Sequence, residues 1–74
     1  MAKLQDKDID RLCKRIKAVR KKKGLTQEQL SERMGIDDGS YRRIEGARMN
    51  PSFLTLKSLC DALEMSLEEF FSEY

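Results

Sequence analysis

Apolar residues recur at intervals of three and four along most of the chain, and nowhere alternate with period two for long enough to make a strand. Ile9, Leu12, Ile16 and Val19 form the first such stripe, with Cys13 beside it, and predict a helix from about Asp8 to Lys23. Tyr41 and Ile44 fall three apart on one face of a shorter segment. Phe53, Leu56, Leu59, Cys60 and Leu63 mark a further helix from about Phe53 to Glu64. A last short helix over about Leu67 to Ser72 carries Phe70 and Phe71. The pattern therefore predicts an all-α fold of five short helices in a single domain over residues 1–74.

The polar residues between the stripes say where the helices start and stop. Gly24 ends the first helix where a positive φ costs a glycine little. Thr26 and Gln29 make a capping box, and Leu25 with Leu30 makes the hydrophobic staple around it. Gly35 closes that second helix, and Asp37 caps the third. Two short helices joined by a tight glycine turn, over about residues 26–45, form a helix-turn-helix. Asn50-Pro51 turns the backbone away from helix and Ser52 caps the fourth. Ser66 and Glu69 repeat the capping box, with Met65 and Phe70 as its staple.

Charge changes the picture through its distribution. The net charge is only +2, but residues 1–24 carry ten Lys/Arg against three Asp, and residues 61–74 carry five acids and no base. Such a chain can hold one face against a polyanion and another away from it. The Lys21–Lys23 run also has a sufficient structural reason, since cations suit a helix C-terminus. Composition excludes several classes. No apolar run approaches the ~18 residues of a membrane span, and residues 1–17 are charged throughout, so a cytoplasmic protein is expected. There is no histidine and no C-x-x-C pair, so Cys13 and Cys60 are expected in the core rather than on a metal. With no glycine-rich phosphate loop and no clustered acids either, no cofactor and no enzymatic activity are expected.

These residues resemble the phage repressor/Cro-type helix-turn-helix proteins, the Xre family, over roughly Leu12 to Phe71. The resemblance is carried by Ile16, Val19-Arg20, Gly24-Leu25-Thr26-Gln27-Glu28, Leu30, Gly35-Ile36, Ile44-Glu45, Asn50-Pro51-Ser52, Leu56 and Leu63. It implies a compact, lambda-repressor-like bundle of five helices whose third helix enters the DNA major groove. Carried over position by position, it makes Gln27 a phosphate clamp, puts Thr26 beside it among the DNA-binding residues, and sets Asp38, Gly39, Ser40, Arg42 and Arg43 at the groove. Arg43 is the best base reader, because a guanidinium binds guanine O6 and N7 together, whereas Arg42 is expected on a phosphate. Arg48 and Asn50 match positions that hold the sugar-phosphate backbone, and Arg20 with Glu45 matches a structural ion pair.

The implied function is a sequence-specific, DNA-binding transcriptional regulator acting as a homodimer on a pseudo-palindromic operator. An alternative from another class is an antitoxin, or another module that binds a protein partner such as a toxin. The start of the third helix is unusual for a DNA reader, because Asp38 is acidic and Gly39 carries no side chain. Phe70, Phe71 and Tyr74 crowd three aromatics into five residues, more than one two-turn helix buries alone. A dimerising C-terminal helix over about residues 66–74 is therefore expected.

Overall fold

The computed structural model describes residues 6–46 and 49–72. It is all-helical: α1 Asp6–Lys22, α2 Gln27–Met34, α3 Asp38–Glu45, α4 Phe53–Ala62 and α5 Leu67–Phe71. All five helices expected from the apolar spacing and the capping residues are present.

Three of the four connections are built alike, each with a left-handed residue, an apolar residue and a capping residue in succession. Gly24-Leu25-Thr26 joins α1 to α2, Gly35-Ile36-Asp37 joins α2 to α3, and Glu64-Met65-Ser66 joins α4 to α5. Gly24, Gly35 and Glu64 have φ of 74°, 73° and 58°. At each, the next amide reaches back to a carbonyl five residues earlier: Leu25 to Arg20, Ile36 to Ser31 and Met65 to Cys60. Leu25, Ile36 and Met65 all pack against the core, so each turn is also an anchor. Thr26, Asp37 and Ser66 then accept from the third amide of the next helix, and the reciprocal bonds from Gln29 and Glu69 complete two capping boxes.

The third of these turns corrects one boundary. The apolar stripe carried α4 to Glu64, but the helix ends at Ala62 because Glu64 takes the left-handed conformation without being a glycine. The stripe itself is also shorter than its spacing implies. Burial in α4 is confined to Leu59, Cys60 and Ala62, with Leu63 following. Phe53 lies in the first turn, beyond the elements that pack on α4, and stays 64 % exposed.

Ile16, Val19, Leu30, Tyr41, Ile44, Leu59, Cys60, Leu63 and Phe70 make one core drawn from all five helices. Cys13 is buried with its thiol on the Ile44 carbonyl, and Cys60 is buried with its thiol pushed up by desolvation. Both thiols therefore act as small apolar groups. Of the three aromatics expected at a C-terminal dimer contact, Phe70 is not available for one. Its ring is wholly enclosed within one copy, and its carbonyl accepts from Arg15 Nε at 2.7 Å, which ties α5 to α1. Phe71 packs edge-on against it, and Tyr74 lies outside the described residues.

Candidate nucleic-acid interface

The helix-turn-helix is locked from within by Glu45, the last residue of α3. Arg20 donates to it through Nε at 2.7 Å and Nη2 at 3.0 Å, a two-pronged pair between α1 and α3. The Arg20 side chain is 8 % exposed and that of Glu45 3 %. The remaining Arg20 donor, Nη1, holds the Leu25 carbonyl at 2.7 Å. The Tyr41 hydroxyl and Gln27 Nε2 also donate to the Glu45 carboxylate. Burial pushes Glu45 up, but the bonds from Arg20, Tyr41 and Gln27 outweigh it and hold the carboxyl below the usual range. Burial, then the adjoining carboxylate, pushes the Tyr41 hydroxyl up, so it stays protonated and donating. One carboxylate thus joins α1, the start of α2 and the end of α3.

Gln27 is half-buried at the first position of α2, with its side-chain amide turned inward to Glu45. What it offers a phosphate is its backbone. The capping box uses the amides of Thr26 and Gln29, leaving those of Gln27 and Glu28 without an acceptor inside the helix. Neither the spacing nor the capping pattern showed that the glutamine amide would be drawn into the ion pair.

Along α3, Asp37 holds the start by accepting from the Ser40 amide at 2.8 Å and the Ser40 hydroxyl at 2.9 Å. These two bonds, the backbone one first, keep the Asp37 carboxyl below its ordinary range. Ser40 is therefore part of the cap. Tyr41 and Ile44 face the core, so the outer face belongs to Gly39, Arg42, Arg43 and Gly46. Those four line a shallow groove of about 420 Å³, two arginines together with two glycines that add no side chain. Gly39 has an ordinary φ, and a Cβ there would meet only the Asp37 carboxylate at 3.3 Å. The glycine thus opens space instead of relieving a strained turn. Arg43 is exposed and has no hydrogen-bond or ion-pair partner among the described residues. Arg42 is held by Asp38, with Nε 2.9 Å from Oδ2.

The other expected positions divide. Asn50 is exposed in the loop before the buried Pro51, and Arg48 lies outside the described residues. Lys22 and Lys23 line a groove with Glu69 of α5, so the basic end of α1 is set beside an acid of the C-terminal helix. On the side of α3 towards α4, Met49 and Leu54 line an open apolar groove of about 400 Å³ with Ser40 and Arg43. The exposure of Met49, Phe53 and Leu54 was missed by the spacing, which reads period but not what covers each turn.

Residues 16–70 match the helix-turn-helix family model. The HTH-type transcriptional regulator PuuR of Escherichia coli is 35 % identical over 60 residues, which is 81 % of this chain and 32 % of that protein. The immunity repressor of Bacillus phage phi105 is 39 % identical over 59 residues, covering 80 % of this chain and 41 % of the repressor. The cryptic phage CTXphi transcriptional repressor RstR of Vibrio cholerae is 35 % identical over 60 residues, covering 81 % and 50 %. The matched region thus spans between a third and a half of the length of these relatives. No solved structure matches the chain at the same stringency.

Proposed function

The chain belongs to the helix-turn-helix family, and from that premise we propose that it is a sequence-specific, DNA-binding transcriptional regulator. It works as a homodimer, with α3 of each copy in the major groove of a pseudo-palindromic operator. The observation that carries this reading is the outer face of α3: two arginines together with two glycines that add no side chain, on a helix fixed by the buried Arg20–Glu45 pair. That surface admits base edges closely and supplies the donors that guanine accepts. The free amides at the start of α2 supply an anion site beside it. The phi105 and CTXphi relatives, named as repressors, support the same reading.

The dimer face we favour is the cluster of Met49, Phe53 and Leu54, which exposes more apolar surface than Phe71 of the C-terminal helix. Leu54 is 76 % exposed, and its groove runs on to Ser40 and Arg43 of α3. A second copy seated there about a two-fold axis places the two α3 helices side by side on one face of a duplex. Selection of bound sites from a random DNA pool at low salt tests the function. An enriched motif with two-fold symmetry is expected. A pool that stays flat would count against DNA reading and favour the antitoxin or other protein-binding alternative.

A further inference from the structure

Asp38 and Arg42 stand out on the proposed reading face because each changes what the other can do. The family resemblance sets Asp38 at the groove, where a carboxylate can accept from a cytosine amino group, and puts Arg42 on a phosphate. The geometry points elsewhere. Asp38 Oδ2 lies 2.9 Å from Arg42 Nε, an ion-pair contact between residues four apart on α3. The second oxygen, Oδ1, is shut off from solvent and has no hydrogen-bond partner among the described residues. Oδ2 is thus the Asp38 oxygen open to solvent, and Arg42 already sits against it. Arg42 keeps both terminal nitrogens, and its side chain is 63 % exposed. A guanidinium fixed through Nε presents those two nitrogens as a parallel fork, the geometry that guanine O6 and N7 accept. Arg42 also lines one groove with Arg43, Gly39 and Gly46.

We propose that Arg42 is a second guanine reader and that Asp38 is its positioning residue, so that each half-site carries two guanine-defined positions, one for each arginine. The proposal rests on the DNA-reading function above and names what that face recognises. An exposed ion pair one helical turn apart adds little to stability. Its effect is to narrow the rotamers of a long side chain, which raises discrimination more than affinity.

The test is site selection from a random pool with the parent, Arg42→Ala, Arg42→Lys, Asp38→Ala, Asp38→Asn and Arg43→Ala, after thermal melts show each variant folded. In the parent, two guanine positions per half-site are expected. Arg42→Ala should erase the preference at one of them, a loss of about 5- to 150-fold, and leave the Arg43 position intact. Lysine, which lacks the fork, should restore little of it. Asp38→Ala should weaken the same guanine position, and Asp38→Asn, which keeps an acceptor for Nε, should recover part of the preference. Asp38→Ala added to Arg42→Ala should change nothing further. The assignment is overturned if Arg42→Ala lowers binding to all sequences alike and reduces the salt slope by about one, as a phosphate contact would. It is also overturned if Asp38→Ala relaxes a position that Arg42→Ala leaves alone, because Asp38 then reads a base itself. A parent pool with no motif overturns the DNA-reading function and this assignment with it, and is distinct from both.

Discussion

Arg20→Ala removes three donors from the inside of the domain at once. Glu45 loses both prongs of its ion pair and the Leu25 carbonyl loses its partner. The carboxylate left behind is 3 % exposed, so water cannot replace the guanidinium without opening the packing between α1 and α3. Breaking a buried pair from one side costs about 3–5 kcal/mol. A domain of this length is stabilised by roughly 4–11 kcal/mol in all, at about 0.05–0.15 kcal/mol per residue. The substitution should therefore remove at least about a quarter of the stability and up to all of it, and lower the melting temperature by at least about 12 °C. Urea unfolding followed by circular dichroism measures it. Replacing both partners, as Arg20→Met with Glu45→Leu, should recover part of the loss, because no charge is then left buried, although Tyr41, Gln27 and the Leu25 carbonyl lose their partners. An Arg20→Ala protein within about 0.5 kcal/mol of the parent would refute the reasoning, and so would a double variant no better than the single.

Acid should unfold the protein partly through the same carboxylate. Glu45 is held below the ordinary glutamate value of 4.5, so its stabilisation is present above that pH and is lost as the pH falls through its folded value. Asp37 and Glu69 are held low in the same sense by their serine partners, so the comparison needed is with Glu45→Gln, whose melting temperature should fall less steeply below pH 4.5 than the parent's. Glu64→Gly should raise stability by up to about 1 kcal/mol, because the residue sits at φ 58° on the exposed end of α4, and thermal melts read the gain. Leu54→Ser should leave the stability of a single copy within about 0.5 kcal/mol, since the side chain is 76 % exposed. The same change should shift sedimentation from dimer to monomer at micromolar concentration.

How much of this was legible depends on whether a residue's role is set by its own segment. Thr26 with Gln29 and Ser66 with Glu69 act within one helical turn, so spacing alone located them. Gly24 and Gly35 declare their conformation by lacking a Cβ, whereas Glu64 adopts the same one with no such mark, and the end of α4 was misjudged there. Whether Phe53 or Phe70 is covered depends on which helix passes over it. Both have the right period, but one overhangs the bundle and the other closes it. The ion pair between Arg20 and Glu45 came from the family resemblance, since 25 residues separate the partners. Gln27 joining that pair, with its amide turned from the expected phosphate, depends on the angle between α2 and α3 and left no trace in the pattern. Asp38 and Arg42 were within reach of sequence reasoning, because acid and base four apart on a helix pair readily.

The central claim is that the outer face of α3 reads base sequence. Fluorescence anisotropy at physiological salt, comparing a duplex carrying the selected site with a scrambled duplex of equal length, tests it most directly in the parent and in Arg43→Ala. The parent should prefer the selected duplex by at least about 1,000-fold, and Arg43→Ala should reduce that preference by about 5- to 150-fold. A preference near one in the parent, or one that Arg43→Ala leaves unchanged, would contradict it.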